Sequence, residues 1–325
     1  MARHLTSSTL IDSAVRRATL PKTQVTFLEE DFLAFANEEM DMAIIPYVMG
    51  YHEDYFLFKE NMPLLDFTSR YSIPYRAVGN KLRDVQFLDQ GNTIFEMTRI
   101  GVGDNSYFQY GSMGSVVTRL RAFSLEGDEI VLHPHVDGAA NGGSLDIYYY
   151  IRPNQLVSEN RVMIVTSISD IANGNITVDK LPLDSESGAS LFMSGTLVDF
   201  IKVKSPHKCI TIDNAIQSVN TTTKVISFGP DVIPASIKVG DHIALAQECM
   251  IPQIPTDLHS MLAQRIAARC LEAIGDSAGL QAANAKLAEM ELKGGTLIDS
   301  RVDDAPMKVA NRHGFLRRSR RFVGR

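Results

Sequence analysis

Two amphipathic helical stretches stand at the ends of this chain and a strand-rich stretch lies between them, and that layout limits the fold more than any other feature. Residues 10–20, "LIDSAVRRATL", repeat Leu10, Ala14 and Ala18 at helical spacing, and Pro21 marks a stop. Thr26 and Glu29 stand in the T-x-x-E spacing of a capping box. They precede "FLEEDFLAFANEEMDMAIIPYVM", with Leu28, Phe32, Phe35, Glu39, Met42 and Ile45 along one side and Pro46 bending or ending the helix. Near the other end, Leu258, Leu262, Ile266, Cys270 and Ile274 share a face, with Thr256 as N-cap and Gly275 where a C-terminal cap belongs. A second helix begins near Ser277 and carries Leu280, Ala283, Leu287 and Met290; Gly294-Gly295 either ends or interrupts it. The short connection makes these two an antiparallel hairpin. Neither group of helices is large enough to bury its own apolar stripe, so burial favours one bundle made from both chain ends.

The middle of the chain carries a different period. "RAFSLEGDEIVLHP" reads as a hairpin turning at Gly127-Asp128, and "RVMIVTSISDIANGNITV" as another turning at Asn173-Gly174. "GSLDIYYYIRP" places Leu145, Ile147, Tyr149 and Ile151 on one face. No helical crossovers intervene, which favours an antiparallel sandwich or barrel. The expected class is therefore α+β: a discontinuous helical bundle with an inserted antiparallel β domain and an extended C-terminal arm. The segments are 1–68, N-terminal helices; 69–250, β-rich; 251–299, helix hairpin; and 300–325, a basic arm.

Charge separates that arm from the rest. Residues 300–325 hold eight basic residues against two acidic ones, a net +6; with −6 for the whole chain, the preceding 299 residues carry −12. A body this acidic repels DNA, since phosphate binding needs clustered Lys and Arg. Three widely separated cysteines, Cys209, Cys249 and Cys270, give neither a disulfide framework nor zinc spacing. The N-terminus lacks the apolar core of a signal peptide, and no run of apolar residues is long enough to span a membrane.

Catalytic motifs are sparse. In "VLHPHVDG" the alternating His133, His135 and Asp137 would share a face on a strand and form part of a metal site; the competing reading is a solvent-exposed hairpin end. "GVGDNS" at 101–106 lacks the glycine and lysine spacing of a phosphate cradle and reads as a turn. Ser194 in "LFMSGTL" lacks the first glycine of a nucleophile elbow. His207 and Cys209 have the residue types of a Cys/His pair, but on a strand they leave little room for an orienting third group. The final stretch, "NRHGFLRRSRRFVGR", has a mechanism. Arginine forks suit carboxylate or phosphate, and Phe315, Leu316 and Phe322 can seat in apolar pockets, so docking on an acidic protein groove competes with nucleic-acid binding and with a merely solvated tail.

The segment from "PQIPTDLHSMLAQRIAARCLEAIGDSAGL" to "IDSRVDDAPMKVANRHGFLR" resembles the C-terminal part of head-to-tail connector (adaptor, or neck) proteins of tailed bacteriophages. In that family an "LP…LH…LA.R…..GD" hairpin leads into "I..RV.GAP.KV.NR". The N-terminal "LIDSAVRRATLPKTQVTF" and "IIPYVMGYHEDYF" and the strand "SRYSIPYRAVGNKLRDV" are similar to the same group. The resemblance implies a virion structural protein, assembled in the host cytoplasm. It implies a ring of usually twelve copies, a dodecamer, beneath the portal protein at the capsid vertex. Tail or nozzle proteins sit below, and DNA slides through the lumen without specific binding. No enzyme activity, cofactor, metal or membrane is implied. The arm positions that match are Arg301, Val302, Ala305, Pro306, Lys308, Val309, Asn311 and Arg312. The expected portal-docking set is Arg301, Lys308, Arg312, Phe315, Leu316, Arg317, Arg318, Arg320, Arg321 and Phe322, of which "RRSRRFVGR" extends past the matched pattern. Two other classes compete: a tail-associated metal-dependent hydrolase built on His133, His135 and Asp137, and a nucleic-acid binder acting through the basic tail.

Overall fold

The computed structural model describes residues 5–21, 26–91, 93–101, 103, 122–133, 143–170, 174–183, 188–230 and 232–298. The fold is α+β. Helix α1 spans Ser7–Arg17 and α2 spans Glu29–Glu39; a π turn over Met40–Ile44 then leads into α3, Ile45–Tyr51. The strands that follow are β1 (Leu57–Pro63), β2 (Arg70–Ser72), β3 (Ala77–Leu88), β4 (Ile94–Glu96), β5 (Thr98–Arg99), β6 (Ala122–Glu126), β7 (Glu129–His133) and β8 (Ser144–Ile151). After them come β9 (Gln155–Leu156), β10 (Met163–Asp170), β11 (Asn175–Val178), β12 (Leu197–Ile201), β13 (Cys209–Asn220), β14 (Val225–Phe228), β15 (His242–Leu245) and β16 (Glu248–Cys249). Helices α4 (His259–Ile274) and α5 (Ser277–Ile298) complete the described chain.

Both chain ends contribute to one helical core. Leu10 and Ala14 of α1, Phe32 and Ala36 of α2, and Leu262, Ile266 and Cys270 of α4 are all buried in the same cluster. Between α4 and α5, Gly275 adopts φ 83°, and the N–H groups of Gly275 and Asp276 both reach the Leu271 carbonyl at 3.1 Å. A left-handed residue there lets the chain close the helix and reverse, which a side chain would strain. Ile274, one residue earlier, is exposed.

Pro46 does not end the N-terminal helical run; it stands in the first turn of α3, directly after the π turn. Proline has no N–H to donate, and its ring crowds the carbonyl four residues back. The chain widens by one residue instead, so that the Ile45 N–H reaches the Met40 carbonyl. The extra residue shifts the stripe: Ile44 and Ile45 turn inward, and Met42, expected on the buried side, is 77% exposed. The expected Thr26/Glu29 capping box is also displaced. Helix α2 starts two residues later, and the Asp31 carboxylate accepts the Leu28 N–H at 2.8 Å. Thr256 does not cap α4; it opens a 3-10 turn, Thr256–Leu258, ahead of it.

The described strands enclose two large cores, and a smaller cluster of Val162, Ile201, Ala244, Cys249 and Ile251 lies apart from both. In the first unit a sheet of order β1-β8-β3-β4 and a sheet of order β2-β7-β6-β5 enclose Val85, Leu145, Ile147, Tyr149, Ile130 and Leu132. In the second, β10-β11-β14-β13-β12-β15 close into an antiparallel barrel around Val165, Ile176, Val198, Phe200, Phe228 and Ile243. Closure leaves no unpaired strand edge in the barrel. Short parallel pairs join β5 to β6 and β9 to β16. The hairpins turning at Gly127-Asp128 and before Asn175 stand where the period-2 pattern places them, with Glu126 opposite Glu129 and Asp170 opposite Asn175. Strand pairing begins at Leu57, ahead of residue 69, because the run after α3 already pairs with β8.

Candidate docking groove and the buried junction

The arm residues Arg301, Lys308, Arg312, Phe315, Leu316, Arg317, Arg318, Arg320, Arg321 and Phe322 lie outside the described residues, as do His135, Asp137 and most of "GVGDNS". His133 is neither solvent-exposed nor in a loop. It is fully buried on β7, and its Nε2 lies 2.9 Å from the Ser124 hydroxyl on β6. No group of three or more His, Cys, Asp or Glu among the described residues is placed to hold a metal ion.

The Cys209/His207 pairing takes a different form from the one expected. His207 is not on a strand: it sits in the turn before β13 at φ 55°, buried, with its ring 6.2 Å from that of His259. Cys209 instead accepts a hydrogen bond from Gln253 Nε2 at 3.3 Å. Burial pushes its thiol up to about 12, with the Asp199 charge acting the same way. A nucleophilic cysteine needs its thiolate favoured, and here it is disfavoured.

The strongest polar constellation is one that sequence spacing does not announce. Arg76, between β2 and β3, is 3% exposed, and its guanidinium grips Asp199 of β12 through both terminal nitrogens, at 2.7 and 3.0 Å. Its Nη2 also reaches Asp213 of β13 at 2.5 Å. Asp199 is fully buried and takes further hydrogen bonds from Asn154 Nδ2 at 2.7 Å and from the N–H groups of Asp213 and Gln247, each at 3.0 Å. Tyr75 donates to both Asp213 oxygens, at 2.8 and 2.9 Å. Burial alone would lower the Arg76 pKa, but hydrogen bonding to Asp199 and that carboxylate's charge outweigh it and raise it. The bidentate geometry suits a fixed, low-dielectric contact, and it fastens the first β unit to the barrel. Its sequence signal is one arginine inside the apolar run "IPYRAV", which alternation marks as a strand and nothing more.

Beside this junction lies a cavity of about 300 Å³, walled by Glu60, Met62, Tyr75, Tyr149 and Asp213. Tyr149 donates to Glu60 Oε2 at 3.1 Å, and burial raises the Glu60 pKa.

The helical unit carries two other surfaces. A cleft between α2, α4 and α5 is crossed by charge pairs: Glu39 accepts from Arg265 Nη1 at 2.9 Å and from Arg269 Nε at 2.5 Å, and Arg265 also contacts Glu291. The other surface is open. Between α1 and the start of α2 a groove of about 410 Å³ is lined by Ser8, Ile11, Asp12, Val15, Phe27, Glu29 and Phe32. Ile11, Val15 and Phe27 are half-buried, Phe32 is buried, and Asp12 and Glu29 are exposed. The charged walls among the described residues are both acidic, and the rest is aliphatic or aromatic.

Gly294 and Gly295 do not break α5. The helix runs through them, and a Cβ on Gly295 would lie 2.6 Å from the Tyr51 ring, while one on Gly294 would lie 3.0 Å from the Tyr47 hydroxyl. The glycine pair lets α5 approach α3 closely, and Tyr47 donates to the Glu291 carbonyl across that contact. No helix among the described residues is long and apolar enough to cross a membrane. No protein-family model matches the chain, and no curated protein matches it.

Proposed function

We propose that this chain is a virion structural protein, a ring-forming adaptor that joins the portal at the capsid vertex to the tail and borders the DNA channel. One observation carries the reading: net charge of −12 over residues 1–299 against +6 over the last 26. An acidic wall releases no counterions to DNA and lets it slide. A short arginine arm with Phe315, Leu316 and Phe322 has the chemistry to grip a protein groove, and repeating one weak arm around a ring multiplies its hold. A ring also needs two different faces per copy, which a molecule built of a helical unit, a sheet unit and a barrel supplies.

The test is assembly. Purified full-length protein imaged by electron microscopy, alone and mixed with portal-bearing capsids, is expected to give closed rings with a central hole at the vertex. Deleting residues 311–325 should leave a folded protein that no longer joins those particles. Truncated protein that assembles normally overturns the arm's role. Tight binding of the full chain to free duplex, weakening steeply with salt by about one logarithmic slope unit per phosphate contact, would favour the nucleic-acid reading instead.

A further inference from the structure

We infer that the groove between α1 and α2 is the seat of the chain's own C-terminal arm, with Phe315 and Leu316 in its apolar floor and Arg312 and Arg317 against Asp12 and Glu29. The groove and the arm match in kind. Ile11, Val15, Phe27 and Phe32 offer an apolar lining, and two exposed carboxylates border it, Asp12 from α1 and Glu29 from α2. The arm presents the complement: two adjacent large apolar residues bracketed by arginines, with no acid after Asp304. Of the segments outside the described residues, 299–325 holds most of the positive charge, eight basic residues.

Connectivity favours the same occupant. Helix α5 ends at Ile298, antiparallel to α4, so its last turn lies beside the start of α4; a Cβ on Gly294 would stand 3.3 Å from Leu258. The start of α4 in turn holds the start of α1, where the Leu5 N–H donates to His259 Nδ1 at 3.0 Å. The last described residue, Ile298, therefore lies at the end of the bundle that holds the start of α1, and Ser8 of α1 lines the groove. An extended stretch from Ile298 to Phe315 reaches roughly 55 Å at about 3.3 Å per residue, whereas α1 is only about 16 Å long. Reach does not limit the contact. Tethering also sets an effective concentration for the arm that is on the order of millimolar, enough to fill a weak site. Seated there, the arm shields two apolar patches, and a more acidic partner surface displaces it.

The experiment uses the full chain with Ser8→Cys and Ser319→Cys, oxidised at low protein concentration, the linked peptides identified by mass spectrometry. An intramolecular 8–319 link is expected, at least tenfold more abundant than the 277–319 link of a Ser277→Cys/Ser319→Cys control at the far end of the bundle. Adding Asp12→Lys and Glu29→Lys should reduce the 8–319 link at least tenfold while the far-ultraviolet circular dichroism is unchanged; both residues are exposed and neither belongs to the helical core. Linking equal to the control, or insensitivity to the charge reversal, overturns the inference, and links found only between chains overturn the intramolecular seat. No second protein takes part, so failure here leaves the connector reading standing, and failure of portal assembly leaves this contact standing.

Discussion

The bundle and the β junction both join pieces of chain that are far apart in sequence, and they do it with the same residue type under opposite conditions. Arg76 meets Asp199 and Asp213 where almost no water reaches: the side chains of Arg76 and Asp199 are 2% and 0% exposed. Arg265 and Arg269 meet Glu39 at the edge of the helical core, where the arginine side chains are 18% and 37% exposed. The bundle has a deep apolar core from both chain ends and uses arginine only at its rim. The junction has two cores on either side and a charge in the middle. A buried pair is costly to form but far costlier to break, because removing one partner strands the other in low dielectric. A rim pair stays partly hydrated, and its loss is softened by water.

The largest effect therefore belongs to Arg76→Met. It leaves Asp199 buried without its counter-charge and should destabilise the protein by about 3–5 kcal/mol, read as a lowered denaturant midpoint. Pairing it with Asp199→Asn should recover part of that loss, since the stranded charge is gone while an amide oxygen still accepts from the buried donors around it. If Arg76→Met costs no more than an exposed substitution, the junction is not the fastening described above.

Glu39→Gln comes next, with an expected loss of about 1–2 kcal/mol, because one of the two carboxylate acceptors becomes an NH2 donor facing an arginine and the other loses its charge, while water can reach both arginines. Salt sharpens the contrast. At about 1 M ionic strength the screening length falls to roughly 3 Å, which should shrink the Glu39→Gln effect and leave the Arg76→Met effect nearly unchanged.

Gly295→Ala tests the other part of the bundle. An alanine gains up to about 1 kcal/mol of helix propensity, but its Cβ would press on the Tyr51 ring. That ring is half-exposed and can swing away, so the net loss should be small, about 0.5–1 kcal/mol. In a Tyr51→Ala background the same change should become neutral or stabilising. A Gly295→Ala that stabilises the wild type would show that the close approach of α3 and α5 has no energetic role.

How far these features could be read in advance follows from how local they are. The Leu258, Leu262, Ile266 and Cys270 face of α4, the cap at Gly275 and the hairpin at Gly127-Asp128 are written within a few residues of one another, and period alone gives them. The shared helical core followed from burial. The closed barrel and the separate sheet unit did not, because both show the same alternation and differ only in which strands pair. The junction was invisible: its partners stand 123 and 137 residues away, and an isolated arginine carries no period. Met42 was misplaced because a single π turn resets the helical phase after it. For the site, the sequence offered only the arm; the groove proposed to seat it is split between two helices, so its acids, Asp12 and Glu29, never appear as a cluster in the chain.

The smallest predicted effect separates the two regions by acid response. Beside the junction, burial raises the Glu60 pKa above its ordinary value. Such a group favours the folded state at low pH, and its contribution is lost as pH rises past its unfolded value toward its folded one. On the outer face of α5, Glu289 lies between Lys286 and Lys293, at 2.7 and 2.5 Å, and their hydrogen bonds and charges hold its pKa down to about 2. Its contribution is present above its unfolded value and fades as pH falls toward about 2. The signs are opposite, so Glu60→Gln should stabilise the protein slightly at neutral pH, and that gain should shrink as acid protonates the native carboxyl, with Tyr149 keeping an acceptor throughout. Glu289→Gln should weaken it slightly at neutral pH, and the difference should vanish at the acid end. Carboxyl titration by carbon-13 nuclear magnetic resonance reads both directly. If Glu60 titrates at or below an ordinary glutamate, the cavity beside Arg76 is wet, and the contrast between a dry junction and a hydrated rim fails at that point.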